Sequence, residues 1–509
     1  MLIDHLYNNT ITYSETVNKT KRKDIGQFFT PPHIAKYMAS LMEFDQTSIR
    51  ILDPGAGTAI LSGAICKEII DNKNIKTVHI DLFETDENII FILQRNMKLI
   101  IEELANNGKN FTYTIIQENF ILFHELFWKN IEQKRKVELY DVIIANPPYK
   151  KIGKLDEEAI AMDSIIYGQP NMYFLFMALS AKLLKQDGQM IFITPRSFTS
   201  GLYFRKFREY LLNTVRLTNL HLFHSREDVF DSDKVLQEAI ILKAIKKTQE
   251  IDTIQISASE NMYMDGISVH EVPYDTVIDM NSDNLFIMIP TTEKEIDLLN
   301  IMKAWKYNLP SLGFKIKTGP VVDFRATELL REDVGENTVP LLMANHFSDY
   351  RITFPAPNSK NPQYIVNTEE SKSLLLDSKN YILIKRFTSK EEKRRVQCAL
   401  YLSEGFTCKK VGIENHLNYV AKLKGEITEE EMFGLFALLN SSFIDLFYRI
   451  LNGSTQVNAT EVNAIPFPSL KEIKWIGKQL MEINGTSTNA CDTIIEGVLL
   501  NKVYPSIAV

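Results

Sequence analysis

The sequence predicts an α/β protein whose first half is a parallel sheet covered by helices on both faces. Short apolar runs of strand length alternate there with longer stretches of helical spacing. The runs lack the polar alternation of a half-exposed strand, as expected when both faces of a parallel sheet are buried. Two later runs, 217–223 and 238–245, have only a short connection between them and predict an antiparallel pair at one end of the sheet.

The individual elements follow from the same pattern. Apolar runs predict strands at 49–52, 78–83, 113–117, 142–145 and 190–195. Helical spacing predicts helices at 33–43, 59–71, 87–106 and 172–186. In the second half the alternation gives way to short mixed strands, polar loops and one late apolar helix. We therefore predict two domains, 1–250 and 251–509, with the boundary inside 247–290.

Composition limits the class of protein. The chain has 509 residues, of which 45% are hydrophobic and 24% charged, as in an ordinary soluble globular protein. No apolar run approaches the ~20 residues of a membrane-spanning helix, and the N-terminus lacks a signal pattern. The four cysteines are far apart without a CxxC pair, which argues against a disulfide framework or a zinc site. We expect a cytoplasmic protein with no membrane contact and no bound metal.

A glycine-containing turn follows the first predicted strand. The stretch ILDPGAGTAIL (51–61) reads as a strand, then Asp53, then a tight turn with Gly55 and Gly57, then a helix. Small residues at such a turn let backbone N–H groups and the helix start approach a ligand closely. The spacing is not the GxGxxG of dinucleotide sites. Taken alone, the stretch fits a glycine-rich turn without a ligand equally well.

Polar side chains also stand at the ends of the next strands. Glu84 ends the second strand, where a carboxylate can accept hydrogen bonds from both hydroxyls of a ribose. Asn119 and Phe120 end the third, where a purine could be hydrogen-bonded and covered. Thr30 precedes two prolines at a helix start, a pattern that also fits an ordinary N-cap. The positions together favour a ligand at the carboxyl edge of the sheet.

The fourth strand ends in Asn-Pro-Pro-Tyr. Asn146 supplies an amide oxygen, Pro147 and Pro148 remove N–H donors so that the local carbonyls only accept, and Tyr149 offers a stacking face. Acceptors beside a flat ring suit a planar substrate with an exocyclic amino group. Accepting both amino hydrogens localises the nitrogen lone pair and makes the nitrogen a nucleophile. An Asn-Pro turn is the structural alternative, but the glycine turn and Glu84 before it make the functional interpretation more specific.

Positive charge is concentrated in the second half, although the net charge is −7. Between residues 381 and 424, ten Lys and Arg stand against four Glu. A solvated face is the simple explanation; a surface that contacts phosphates is the alternative. The candidates for phosphate or base contacts are Lys385, Arg386, Lys393, Arg394 and Arg395. The polar stretch 452–468 resembles a loop that faces a DNA groove.

In their order along the chain, these motifs resemble the S-adenosylmethionine-dependent N6-adenine DNA methyltransferases of the gamma class, found in Type II restriction–modification systems. The resemblance is carried by GQFFTPPHIAKYM, DPGAGTAIL, FETDEN, QENF, ANPPY and EDVFDSDKVLQEAIILKAI, within residues 20–250. It is weaker over 290–470. It implies a Rossmann-like class I methyltransferase domain with a mixed seven-stranded sheet, followed by an α+β target-recognition domain.

The resemblance also implies residue roles. It places the cofactor S-adenosylmethionine against Thr30, Asp53, Pro54, Gly55, Gly57, Glu84, Asn119, Phe120 and Pro148. It places the target base against Asn146, Pro147, Pro148, Tyr149 and Phe230. Asn146 and the carbonyl of Pro147 would hold the target amino group, and Tyr149 and Phe230 would sandwich the flipped base. The family commonly has Asp at the position of Asn119, so the assignment of Asn119 rests on an amide instead.

The implied activity is methyl transfer to adenine N6 within a specific duplex sequence, after the base has been flipped out. Double-stranded DNA is the expected partner, a separate cognate restriction endonuclease would act on the same site, and the enzyme is expected to be a prokaryotic monomer. Three alternatives stand beside it. Asn-Pro-Pro-Tyr also serves methyltransferases of RNA or of protein amides. A fused restriction enzyme is disfavoured because no PD…ExK motif was found. A non-catalytic DNA-binding module is disfavoured by the intact motif.

Overall fold

The computed structural model forms two compact units, Met1–Glu293 and Lys294–Val509. It describes residues 2–16, 26, 29–225, 238–247, 250–348, 350–357, 359 and 361–503. Two strands beyond residue 250, Thr253–Ser259 and Ser268–Pro273, join the sheet of the first unit.

The described residues of the first unit form one sheet of nine strands. These are β1 (Ser48–Asp53), β2 (Thr77–Phe83), β3 (Asn110–Ile116), β4 (Tyr140–Ala145), β5 (Leu184–Pro195), β6 (Arg216–Phe223), β7 (Ala239–Ile245), β8 (Thr253–Ser259) and β9 (Ser268–Pro273). Their order is β3-β2-β1-β4-β5-β7-β6-β8-β9. The five strands β3, β2, β1, β4 and β5 are parallel, and β7 is antiparallel to both β5 and β6. The predicted mixed seven-stranded sheet and its antiparallel pair are confirmed, and β8 and β9 extend the sheet.

The helices of the first unit cover both faces of this sheet. They are α1 (Leu2–Thr16), α2 (Pro32–Ser40), α3 (Ile60–Asp71), α4 (Glu87–Asn106), α5 (Phe120–Phe123), α6 (Glu125–Trp128), α7 (Glu157–Ala161), α8 (Met172–Leu183), α9 (Arg205–Thr214) and α10 (Tyr274–Val277). α2, α3, α4 and α8 lie where helical spacing predicted them. α1 was not predicted; its Ile3, Leu6 and Tyr13 join the apolar cluster formed by α2 to α4 and the central strands.

Helix α8 is surrounded by protein. Eleven of its 12 residues are buried, so it has no polar stripe. It packs against α9 and β5. A helix that is apolar all round is what burial within a large α/β core requires.

A buried polar network links three central strands. The Arg50 guanidinium donates to Asp81 Oδ2 at 2.7 Å, and the Tyr140 hydroxyl donates to the same oxygen at 3.0 Å. Arg50, Asp81 and Tyr140 belong to β1, β2 and β4. Because each partner sits on a different strand, the network fixes the relative register of the three strands whose ends form the site.

The residues described in the second unit form two small sheets and a group of helices. Its strands are β10 (Phe314–Thr318), β11 (Leu330–Arg331), β12 (Thr338–Leu342), β13 (Phe347–Ser348), β14 (Arg351–Ile352), β15 (Tyr364–Val366), β16 (Leu375–Asp377), β17 (Tyr381–Lys385), β18 (Cys398–Tyr401), β19 (Lys410–Ile413) and β20 (Leu417–Lys422). The sheet orders are β10-β20-β17-β18-β14-β13 and β11-β15-β12-β19-β16. Its helices are α11 (Glu293–Met302), α12 (Glu429–Leu439), α13 (Ser442–Leu451), α14 (Ala459–Asn463), α15 (Leu470–Glu482) and α16 (Thr488–Val503).

Long apolar helices are absent from the part of the chain that the structure describes: no single helix there has the length and composition to cross a membrane. The pair α12 and α13 reaches that length only in combination, with a bend of 56° between the two helices.

Helices α12 and α15 cross at two glycines. A β-carbon at Gly434 would collide with the carbonyl oxygen of Ile473, and one at Gly477 with the carbonyl oxygen of Glu430. We expect Gly434→Ala and Gly477→Ala each to lower the free energy of unfolding by at least ~1–3 kcal/mol, since backbone must move to relieve the overlap. Urea unfolding followed by circular dichroism measures the change.

Gly497 in α16 is the matched control, because a β-carbon there would meet no atom within 4 Å. Gly497→Ala should leave stability unchanged or raise it by up to ~1 kcal/mol through helix propensity. Equal effects at all three glycines would contradict a close crossing of α12 and α15.

Candidate active site

A cavity of about 340 Å³ opens at the carboxyl ends of the central strands. Eight residues predicted for the site line it: Pro54, Gly55, Gly57, Glu84, Asn119, Phe120, Asn146 and Pro148. β1 lies between β2 and β4. The chain therefore continues from β1 to β2 and β3 on one side of β1 and then returns to β4 on the other side. Such a reversal of strand order leaves a crevice beyond the strand ends.

The turn after β1 is held against the tip of β2. Ala56 N donates to the carbonyl oxygen of Phe83 at 2.9 Å, and Gly57 N donates to Glu84 Oε2 at 2.9 Å. Gly57 has φ = +51°, a left-handed conformation that glycine adopts without strain. The turn therefore places its backbone N–H groups beside the carboxylate of Glu84, which follows β2.

Glu84 is fixed by three backbone N–H groups. Besides Gly57, Thr85 N and Asp86 N each donate to Glu84 Oε1 at 2.8 Å. Burial raises the pKa of Glu84 above its ordinary value, and the three backbone hydrogen bonds act against this shift. The carboxylate is therefore held rigidly at the wall of the cavity before any ligand arrives.

Asn146 is oriented by Thr30. Asn146 Nδ2 donates to Thr30 Oγ1 at 3.1 Å, which fixes the plane of the amide at the end of β4. Thr30 is 5% exposed and does not line the cavity, so its contact is with Asn146 and not with the cavity. The structure thus places Thr30 next to Asn146; contact between Thr30 and the cofactor stays a prediction.

Tyr149 is tethered by its hydroxyl. The hydroxyl donates to the carbonyl oxygen of Ile193 at 3.0 Å, and the ring lies edge-on to Tyr173 with the centroids 6.4 Å apart. Burial raises the pKa of Tyr149 well above its ordinary value, so the phenol stays neutral. Neither Tyr149 nor Pro147 is among the residues that line the cavity; Pro147 is buried, and Tyr149 packs against the core of the first unit.

Asn119 is engaged at both ends of its amide. Asn119 Oδ1 accepts from Ile121 N at 3.0 Å and Leu122 N at 3.2 Å, which caps α5. Its Nδ2 donates to Glu158 Oε1 at 2.7 Å. The amide that was predicted to read a purine is thus occupied by a helix cap and by a carboxylate.

Aromatic rings form the apolar wall next to Asn119. Phe120 lies 5.2 Å from Phe83 and 5.1 Å from Phe176, measured between ring centroids, and all three rings line the cavity. A flat apolar group fits against such a wall.

Asp53 is enclosed beneath the turn. It is fully buried, and it accepts from Ser62 Oγ at 2.7 Å through Oδ2. Burial raises the pKa of Asp53 to about 7. Asp53 is absent from the cavity lining, so it supports the glycine turn from below.

Comparison with known proteins decides the family. The family model described as "Eco57I restriction-modification methylase" matches residues 36–230. Type II methyltransferase M.BsuBI of Bacillus subtilis is 35% identical over 500 residues, covering 96% of this chain and 98% of that protein. This chain belongs to the Type II methyltransferases of restriction–modification systems. Type II methyltransferase M.PstI of Providencia stuartii is 32% identical, covering 92% of this chain and 91% of that protein.

The first unit of this Type II methyltransferase has the predicted Rossmann-like class I fold of S-adenosylmethionine-dependent methyltransferases. Among solved structures, a type I restriction–modification methyltransferase subunit from Streptococcus thermophilus matches with a TM-score of 0.34 and 17% identity. That match covers 55% of this chain and 54% of the other.

Several lining residues of the methyltransferase were not predicted: Gly26, Phe29, Phe83, Thr85, Asp86, Glu118, Lys150, Ile152, Asp156, Glu158, Met172 and Phe176. Asp86 and Glu118 stand within two residues of predicted positions, so the strand-end argument could have included them. Glu158 and Phe176 carry no local signal, because α7 and α8 reach the cavity only through tertiary packing. Phe230, predicted to stack on the target base, lies outside the described residues.

Three of the five basic candidates in the second unit donate to backbone carbonyl oxygens. Arg386 is half-buried, and its Nη1 donates to Asn415 O at 3.1 Å. The Arg394 guanidinium donates to the carbonyl oxygens of Asn440 and Ser441 at the end of α12. Arg395 is 1% exposed and donates to Ser454 O at 2.6 Å. Arg395 is buried and Arg394 is half-buried, so these two guanidinium groups are less available to phosphates than the exposed Lys393.

Asp53 makes stability depend on pH. A carboxyl whose folded-state pKa is raised stabilises the fold fully below its unfolded pKa of about 3.9, and this contribution is lost as pH rises to the folded pKa of about 7. Between pH 5 and 8 the wild type should lose roughly 2–3 kcal/mol more unfolding free energy than Asp53→Asn. Chemical denaturation at both pH values gives the comparison, and equal losses would contradict a neutral buried Asp53.

Proposed function

We propose that this protein transfers a methyl group from S-adenosylmethionine to N6 of an adenine within a specific sequence of double-stranded DNA. One observation carries the proposal. Asn146 and Pro148 of the Asn-Pro-Pro-Tyr motif line the same cavity as Gly55 and Glu84. An acceptor for an amino group and the residues suited to a nucleoside cofactor thus meet in one place.

The cavity residues fit S-adenosylmethionine by their chemistry. Glu84 offers a rigid carboxylate to ribose hydroxyls, and Phe83, Phe120 and Phe176 offer a wall to the adenine ring. The acidic residues Glu84, Asp86, Glu118, Asp156 and Glu158 line the cavity with a single lysine, Lys150. Such a balance favours a ligand that carries positive charge. When bound, the cofactor would supply an electrophilic methyl group on its sulfonium.

Asn146 and Pro147 would act as acceptors for the target amino group. Thr30 engages the amide nitrogen of Asn146, so the amide oxygen is the atom that would face a substrate. The carbonyl of Pro147 is a second acceptor, and the prolines contribute no competing N–H. With both hydrogens accepted, the N6 lone pair turns toward the methyl group. As the new N–C bond forms, the S–CH₃ bond would break and leave S-adenosylhomocysteine, and N6 would release its surplus proton to solvent. The residues of the site would contribute by positioning and polarising the amino group.

The target adenine would have to leave the duplex, because N6 is paired within it. Unstacking costs a few kcal/mol, and stacking on an aromatic ring returns ~1–3 kcal/mol per base. The tether to Ile193 holds the Tyr149 ring ready for this contact, and Phe230 is proposed for the opposite face. Modification in this way would protect cytoplasmic DNA of a prokaryotic host against a separate endonuclease.

Replacing Asn146 tests the reaction. Asn146→Ala removes the oriented acceptor, and loss of one such polar contact typically lowers kcat by ~10²–10³. Transfer of tritiated methyl groups to adenine-containing plasmid DNA measures the loss, and mass spectrometry of the nucleosides identifies the modified base. Cofactor binding by the variant, followed by calorimetry, should stay near that of the wild type.

The same assay separates the alternatives. Ribosomal RNA and total protein serve as competing substrates beside plasmid DNA, and plasmid integrity in Mg²⁺ reports cleavage. Methylation of RNA or protein in preference to DNA, or Asn146→Ala near the wild-type rate, would overturn the proposal.

In the second unit we propose Lys385, Arg386 and Lys393 as DNA contacts. The segment after β17 pairs with the polar loop: Thr388 N donates to Thr455 O at 3.1 Å, and Val457 N donates to Arg386 O at 2.7 Å. Phe387 is 43% exposed between them, with the Arg386 guanidinium 5.5 Å from its ring centroid. Arg386 and the predicted groove-facing loop are therefore neighbours, which supports a DNA-contacting role for this segment.

Lys393 is the sharpest test of this surface. Each lost phosphate contact lowers the slope of log K against log salt by about 0.9, so Lys393→Ala should weaken binding to all sequences alike and flatten the slope. Lys372 is the matched control, since it is 72% exposed in the same unit and pairs with Glu369. Fluorescence anisotropy over a salt series compares the two, and equal slopes would contradict the assignment.

A further inference from the structure

Glu158 lies at the end of the cavity occupied by Asn119. We propose that Glu158 recognises the exocyclic amino group of the cofactor's adenine, and thereby makes the site select adenosine over inosine. The proposal rests on the cofactor site proposed above. Its test reads the binding of a nucleoside ligand and needs neither DNA nor methyl transfer.

The first step is that Asn119 has no acceptor to spare. Its oxygen accepts the two N–H groups at the start of α5, and its nitrogen donates to Glu158 Oε1 at 2.7 Å. A purine amino group needs an acceptor. Breaking the cap of α5 to provide one would leave two backbone donors without partners, so the acceptor must come from another residue at this end of the cavity.

Glu158 has the free acceptor. Its Oε1 is held by Asn119, whereas its Oε2 receives no hydrogen bond from any residue that the structure describes. Glu158 lines the cavity and is half-buried, while its neighbour Glu157 is exposed and absent from the lining. One carboxylate oxygen is thus anchored and the other is left to a ligand.

The position of Glu158 is stabilised from both sides. Ala159 and Ala161, the residues one and three positions after Glu158 in α7, are buried. Before α7, Ile152 N donates to Pro170 O at 3.2 Å and Gln169 Nε2 donates to Ile152 O at 2.5 Å. The segment after Tyr149 is therefore fastened to the residues that precede α8, and Glu158 is presented on a supported helix.

The adenine ring of the cofactor would lie against a defined apolar surface next to Glu158. Phe120 follows Asn119 directly, and its contact with Phe176 forms the apolar wall at this end. A purine lying on that wall presents its edge to the residues around it. A carboxylate accepts from the amino group of adenine but repels the carbonyl oxygen that hypoxanthine carries at the same position.

Binding of S-adenosylhomocysteine and S-inosylhomocysteine tests the proposal directly. Isothermal calorimetry on the full chain should show the wild type preferring the adenosyl ligand by tenfold or more, since a site built for a donor rejects its replacement. Glu158→Ala should lose most of this preference, chiefly through weaker binding of the adenosyl ligand.

Glu158→Gln gives a sharper outcome. Asn119 offers only a donor, so the amide introduced by this substitution must turn its oxygen to Asn119 and its NH₂ to the cavity. The preference should then invert in favour of the inosyl ligand, whose carbonyl oxygen accepts from that NH₂. A role limited to supporting α7 would not reverse the order. Glu157→Gln is the matched control and should keep the wild-type preference.

The outcomes separate the two proposals. No binding of S-adenosylhomocysteine by the wild type would overturn the cofactor site itself. Binding without adenosyl preference, or an unchanged preference in folded Glu158→Gln, would overturn the role of Glu158 and leave the cofactor site standing. Circular dichroism melts of each variant establish that it is folded.

Discussion

The position of β1 between β2 and β4 is the constraint on which the site depends. β1 pairs in parallel with both, through Asp53 opposite Leu82 and Leu52 opposite Ile143, so the three strands end at one edge. The glycine turn, Glu84 and Asn146 each follow one of these strands directly. Parallel pairing thus converts three distant stretches of sequence into one cavity wall, and the Arg50 network below keeps the strand ends level.

The sequence was sufficient for the features that depend on local order. An apolar run that ends in a polar residue marks a strand tip, which is why Glu84, Asn119 and Asn146 were placed at the cavity. Most helices and strands were located to within a few residues for the same reason. β8 and β9 were assigned to the second domain because their mixed pattern resembles the short strands that follow, and only their pairing with β6 and with each other attaches them to the first sheet.

Features that depend on tertiary partners could not be predicted in this way. The contact between Asn119 and Glu158 joins two helices that no local pattern connects, and the hydrogen bond between Asn146 and Thr30 likewise arises only on folding. The high density of Lys and Arg along this stretch of sequence likewise predicted Arg394 and Arg395 as surface residues. Their guanidinium groups instead satisfy carbonyls at a helix end and in the polar loop, which a count of charges does not reveal.

Helix α8 both lines the cavity and forms part of the core. Met172 and Phe176 line the cavity, while nearly every other residue of the helix is buried in the core. Interiors are close-packed, so a helix of this kind moves little without repacking its neighbours. The wall it forms is therefore as stiff as the core itself. Such a site selects its ligand by a preformed shape. A change of ligand would therefore require substitutions in the core as well as in the cavity lining.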